Sequence, residues 1–302
     1  MMRLSLVLAA AMLALGAPRA SADAMPERLI DQLAQIDCNG PGLYENLPFP
    51  DFWAVVPDLD AGFRAEQRKG DCIPDAMRAL VRLGPRALPA LIRHIRDPRP
   101  TRLKIGTTLD PKAMMTGGQL FSTEYESRVF AYDPDSWLAP FLDKCSGDDM
   151  CFAGRDFRTP YTIRIGDVCF TLIGQIVNRA LVAARYQPTG FVMVNSPVET
   201  PSLAERVARD WAGTGADALK ASLLADLHAK PHGPPPQGPK SEGDAQDEAA
   251  MLRSYVYPGA LRRLRFYFPD AYAALSGEDL ATKQAFEQDE AETARAYAKN
   301  AH

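Results

Sequence analysis

Thr171, Gln175, Asn178, Arg179 and Arg185 recur at three- and four-residue steps along one stretch, so on a helix they line a single strip. Such a strip is a candidate binding face, able to read an anionic or amide-bearing partner through charge-assisted hydrogen bonds. Residues in this pattern more often make a solvated or inter-element polar face. The acids offer a second set. Asp133, Asp135, Asp148 and Asp149 are oxygen donors of the kind calcium takes, but the regular loop spacing of a calcium hand is absent. Glu124 and Glu126, two apart, share one face of a strand. Near Trp53 and Trp137 that pair would suit glycoside hydrolysis, in which two carboxyls flank the bond. Two acids so spaced on an exposed strand also serve simply as surface charge.

Nucleophilic catalysis finds little support. His94 lies on the polar side of a helix among Arg93 and Arg96 and is expected to be exposed; His228 and His232 flank a proline-rich loop. Ser196 lacks the glycines of a nucleophile elbow. Gly213-Thr214-Gly215 falls between two helices and not after a strand, so it reads as a connector. The expectation is no catalytic residue, no cofactor and no metal site. For zinc in particular, the five cysteines and four histidines are wrongly spaced.

The elements that must position these groups follow from apolar periodicity. Residues 25–37 form an amphipathic helix stopped by Asn39-Gly40-Pro41-Gly42. Asp75 to Leu83 presents Ala76, Met77, Leu80 and Val81 on one face. Gly84-Pro85 breaks it, and Ala87, Leu88, Leu91, Ile92 and Ile95 make a second stripe ending at Asp97-Pro98. Alternation over 121–130 and Tyr161 to Ile165 predicts short strands. From Gly166 the pattern Val168, Cys169, Leu172, Ile173, Ile176, Val177, Ala180, Leu181, Ala184 predicts a central helix of five turns, with Asp167 at its positive end. A strand-like run follows at Phe191 to Val194. Helices are expected at about 202–211, 216–228, 245–256 and 260–268, and a last one from near Ser276.

The stretch LGPRALPALIRHIRDPR, residues 83–99, resembles a HEAT-type repeat, with Pro89 inside the second helix and Asp97 and Arg99 closing it as Asp-x-Arg. That resemblance implies a helical hairpin. One hairpin cannot bury its own face, and no further copies of matching period are present, so a full solenoid is not expected. Residues 161–211 resemble a family of exported bacterial proteins without assigned activity, which implies nothing about chemistry. The fold class is therefore mainly α with a small β insertion (α+β). It divides into a leader at 1–22, an N-terminal helical region at 23–99, a β-containing insertion at 100–165 and a central helical core at 166–229. A disordered Pro/Gly loop at 230–244 and C-terminal helices at 245–302 complete it.

The leader sets the compartment. Arg3 precedes an apolar run from Leu4 to Ala17, and Ala20-Ser21-Ala22 is a small-x-small site for cleavage before Asp23. The run is shorter than the roughly 20 residues a spanning helix needs, so no transmembrane segment is expected in the mature chain. Two of the 34 basic residues (Arg3 and Arg19) leave with the leader, so 32 face 38 acids. That balance gives no electrostatic reason to bind nucleic acid. An exported chain permits disulfides. Cys145 and Cys151 bracket a short polar loop, and Cys169 falls on an apolar stripe as a free thiol. By elimination Cys38 pairs with Cys72. The expected function is a non-catalytic binding or scaffold protein, periplasmic or secreted, facing a protein or cell-envelope partner. An envelope-directed hydrolase using the acids, or a periplasmic inhibitor or immunity-type protein, are the alternatives.

Overall fold

A computed structural model describes residues 19–37, 52, 54, 74–105, 161–186, 192–194, 196–229 and 252–300. The described residues are mostly helical with short antiparallel β pairs, an α+β arrangement in which they show no solenoid stacking.

Helix α1 (Arg19–Gln32) continues into a single tight turn at Leu33–Gln35 and buries Ile30, Leu33 and Ile36. The hairpin forms as its stripes dictate. Helix α2 (Asp75–Leu83) buries Ala76, Met77, Leu80 and Val81. A tight turn at Gly84–Arg86 follows, and α3 (Leu88–Arg93) buries Leu88, Ala90 and Leu91. Gly84 takes φ +57, a backbone state that favours glycine, and the Tyr267 ring fills the space beside it. Tyr267 also donates its hydroxyl proton to Val81 O, so the end of α2 is tied to the C-terminal helices.

One hairpin has two faces to cover, and here unlike elements cover them. Helix α1 packs on α2 and α3, and α4 (Ile165–Val177) packs on both of them as well. Non-repeating neighbours thus bury what further repeats would bury in a solenoid.

Strands β1 (Pro100–Ile105) and β2 (Tyr161–Arg164) pair antiparallel, with Ile105 opposite Tyr161 and an irregularity between Pro100 and Lys104. Thr101 fills that irregularity. Its hydroxyl donates to Ile163 O at 2.8 Å and accepts from Leu103 N at 3.1 Å. The two ends of the predicted β insertion are therefore joined to each other. Its middle, including the run 121–130, lies outside the described residues.

Every residue of α4 is buried. Helix and partners approach closely at Gly166, where an added Cβ would meet Ile95 O and Val198 Cγ2, each at 2.5 Å. The carbonyl is backbone and cannot swing aside. Gly166→Ala is expected to cost about 2 kcal/mol through overpacking. A urea midpoint unchanged from the parent would refute this close approach.

The five-turn expectation for α4 is wrong in length. The helix ends at Val177, and Asn178 adopts the left-handed conformation at φ 59. Asparagine tolerates that state better than most residues, so it stops the helix there. Residues 184 and 185 lie instead in β3 (Ala184–Tyr186), paired antiparallel with β4 (Val192–Val194), Arg185 opposite Met193. Helices α5 (Pro201–Trp211) and α6 (Ala216–Asp226) follow, joined by the Gly213-Thr214-Gly215 connector. A helical turn at Leu252–Val256 runs directly into α7 (Tyr257–Tyr267), so the two helices expected there are continuous across residues 252–267. Then come α8 (Pro269–Ala273) and α9 (Gly277–Asn300).

Candidate functional site

The strip read from sequence is not an open face. Thr171, Gln175 and Asn178 are all buried, because α6, the hairpin and the residues of α7 close over the side of α4 that polarity alone would leave to solvent. Thr171 turns its hydroxyl back to Asp167 O at 3.2 Å. Arg185 sits on β3, after the helix has ended, so its sequence spacing from Asn178 no longer places it on the strip.

What the structure brings together is the C-terminal end of α4. The last carbonyls of a helix lack intrahelical donors and carry partial negative charge. Two guanidinium groups supply the donors. Arg263 of α7, fully enclosed, donates through Nε to Gln175 O at 2.7 Å and through Nη1 to Asn178 Oδ1 at 3.0 Å and Gly259 O at 2.9 Å. Its Cζ lies 4.7 Å from the centroid of Phe52, a cation–π contact with the aromatic segment that precedes the hairpin. Burial lowers its pKa to about 10, which leaves it charged at neutral pH. Gly259 is what lets α7 come this near, since a Cβ there would fall on Asn178 Oδ1.

Arg179 supplies the second set. Its Nη1 donates to Asn178 O and Asp226 Oδ2, both at 2.9 Å, and to Val177 O at 3.4 Å. Asp226 of α6 also accepts from Asn178 Nδ2 at 2.8 Å, and Asn178 Nδ2 reaches Val256 O at 3.1 Å. The arrangement is a helix cap assembled from three elements. Unlike its neighbours, Arg179 keeps 32% of its side chain exposed, and its Cζ lies 5.5 Å from the centroid of the Trp211 ring.

At the opposite end of α4 sits Asp167. Its Oδ2 accepts from Tyr161 Oη at 2.7 Å and from Arg164 N at 2.9 Å, and its Oδ1 accepts from Ser196 Oγ at 2.5 Å. The bond to Arg164 N is one half of a capping box. Burial pushes this carboxyl above its ordinary range against the opposing pull of those donors. Ser196, the hydroxyl considered as a nucleophile, is buried and starts the turn into α5 by accepting from Val198 N at 3.2 Å. Cys169, also on α4, is fully buried and unpaired, and burial pushes its thiol well above the usual range, where it is unreactive.

A third cluster was missed because its partners are far apart in sequence. His94 is half-buried, not exposed. Its Nδ1 lies 2.9 Å from Asp97 Oδ2 and its Nε2 lies 2.8 Å from Glu27 Oε2 on α1. Asp97 accepts from Arg99 Nη2 at 2.6 Å, and Arg99 Nη1 reaches Asp31 at 2.8 Å. The Asp-x-Arg end of the hairpin is thus a clasp that fastens α1 onto α3. The spacing Asp97–Arg99 is legible in the sequence; Glu27 and Asp31, one helical turn apart, give no hint of where they bind.

The clasp makes acid stability testable. Burial of Asp97 would raise its carboxyl, but the hydrogen bonds from Arg99 and His94 outweigh it and hold the value at about 2. Glu27 is also lowered, chiefly by its hydrogen bond from Arg93. A carboxylate held below its ordinary value stabilises the fold above that value and stops doing so as pH falls through the folded one. Stability should therefore drop between about pH 4 and pH 2. In urea melts across that range, Asp97→Asn should flatten the decline, and an unchanged acid limb would refute the clasp.

The remaining expectations fall elsewhere. Cys38, Cys72, Cys145, Cys151, Glu124, Glu126, Asp133, Asp135, Asp148 and Asp149 lie outside the described residues. Among the described residues no group of three ligating side chains is placed to hold a metal ion, and no helix is long and apolar enough to cross a membrane. No protein-family model, curated protein or solved structure matches the chain.

Proposed function

We propose that the chain is an exported, non-catalytic binding or scaffold protein of the cell envelope, acting in the periplasm or outside the cell after cleavage between Ala22 and Asp23. The observation that carries the binding reading is Arg179. Its Nη1 is spent on the cap of α4, while the side chain keeps 32% of its area exposed and its Cζ lies 5.5 Å from an aromatic ring. A guanidinium held in one orientation loses less side-chain freedom on contact than a free surface arginine does, so it suits recognition of a partner's charge.

Pro26 supports the export reading. Within α1 it has no N–H to offer the carbonyl four residues back, which is Ala22. With Asp23 as the first residue, Pro26 falls in the opening turn, where N–H groups have no intrahelical partner and proline costs nothing.

Partner capture tests the reading. The mature protein, cross-linked in its native compartment and purified, should retain a partner that Arg179→Ala releases with its fold intact by circular dichroism. Equal recovery on both chains would rule Arg179 out as the contact. Release of product from purified cell wall by the mature protein would refute a non-catalytic role.

A further inference from the structure

His94 joins two acids at once. Its Nε2 lies 2.8 Å from Glu27 Oε2 and its Nδ1 lies 2.9 Å from Asp97 Oδ2. An ionised carboxylate can only accept, so each contact is a hydrogen bond only where the ring nitrogen carries a proton. A neutral imidazole has one N–H and an imidazolium has two. Both acids stay ionised where an imidazole changes charge. Burial would raise Asp97, but bonds from Arg99 and His94 hold it at about 2, and Glu27 lies below its ordinary value, first through its bond from Arg93. Both contacts are therefore bonds in one protonation state alone. Once a proton leaves, a ring lone pair faces a carboxylate oxygen across the same gap.

We infer that His94 is a proton-operated latch holding α1 on the α2–α3 hairpin, shut while the imidazole carries both protons and loosened when it loses one. Its position gives it leverage. The pairs Glu27–Arg93 and Asp31–Arg99 also tie α1 to this region, but their side chains are exposed, where such pairs contribute little. His94 is more enclosed, with 25% of its side chain exposed, and Asp97 behind it keeps only 9%. The charged groups around the ring are Glu27 and Asp31 from α1, and Arg93, Asp97 and Arg99 from α3 and the turn that closes it. Helix α4 adds Cys169, a thiol that burial keeps protonated. Of these residue types, histidine is the one whose charge ordinarily changes between about pH 5 and pH 8. The sign is definite: the latch has its full set of bonds on the acid side of that range and loses one as pH rises. This is the reverse of the acid loss that Asp97 sets, and it does not depend on whether the chain binds a partner.

Amide hydrogen exchange and ring 15N shifts of the purified protein, followed between about pH 5 and pH 8, test the latch. At about pH 5 both His94 nitrogens should read as protonated, the signals being those that His94→Gln removes. Protection at the Leu29 and Ile30 amides of α1, corrected for intrinsic exchange, should fall about tenfold across the range. Protection at Leu219 and Leu223 of α6, which report opening elsewhere, should not fall with it. His94→Gln should abolish the fall. Glu27→Gln should abolish it as well, because an amide can accept from the imidazolium and donate to the neutral ring. If His94→Gln does not fold, Glu27→Gln decides alone. A neutral ring at about pH 5, level protection of α1 in the parent, or a fall that survives in a folded variant overturns the latch.

Discussion

Asp167→Ala should destabilise the protein by about 3–5 kcal/mol, a large share of the roughly 5–15 kcal/mol that holds a typical domain folded. The estimate rests on what the carboxylate holds. Its loss removes an acceptor shared by the Tyr161 hydroxyl, the Ser196 hydroxyl and the Arg164 N–H, the two hydroxyls buried and the N–H part-buried. Those donors belong to the two ends of β2 and to the turn before α5, so both segments lose their tie to the start of α4. Asn separates charge from geometry. Its Oδ1 can replace the oxygen that accepts from Tyr161 and Arg164, and its Nδ2 can donate to Ser196 Oγ, so Asp167→Asn should cost about 1 kcal/mol.

The pH dependence has a definite sign. Because burial holds the Asp167 carboxyl above its ordinary value, the unfolded chain releases that proton first as pH rises, and stability declines across that interval. Asp167→Asn removes this decline. Urea unfolding of the three chains at several pH values measures both effects. An alanine variant as stable as the asparagine variant would show that the three bonds do not anchor these segments.

Arg263→Ala should cost a similar amount, about 3–5 kcal/mol. The side chain is enclosed, and its removal takes the guanidinium donors away from Gln175 O and Asn178 Oδ1, besides leaving a cavity against Phe52. The loss reaches further than one contact. Arg263 fixes Asn178, Asn178 binds Asp226, and Asp226 orients Arg179, so the exposed guanidinium loses its outer support. Lysine should not rescue the variant. Its ammonium is a single point on a flexible stem and cannot reproduce a planar fork that reaches two carbonyls and an amide oxygen. Thermal unfolding of Arg263→Lys and Arg263→Ala checks this, and a lysine variant matching the parent would mean that charge alone suffices.

Much of the architecture was legible because local rules and tertiary packing agree there. The α2–α3 hairpin has a clean apolar face on each helix and a Gly-Pro break, and the chain folds so. The strands at Tyr161 and Val192 and the helices beginning near 201, 216 and 277 likewise follow their periodicity. The strip on α4 is an inter-element polar face at Thr171, Gln175 and Asn178, one of the readings its spacing allowed, because periodicity reports which side of a helix is apolar, not whether the polar side meets water. A signal for the stop at Asn178 did exist, since asparagine is a frequent residue in the left-handed state that ends helices. The apolar residues at 180, 181 and 184 concealed it by prolonging the pattern.

The sequence by itself determined where most of the described helices lie and which apolar faces they bury, because these depend on residues within a few positions of one another. Only the tertiary structure decided what the polar residues do. It turned Asn178 and Arg179 into the cap of α4, made Asp167 an anchor and joined His94 to Glu27. Each depends on partners 29 to 85 residues away, brought within 3 Å by packing that no local spacing encodes.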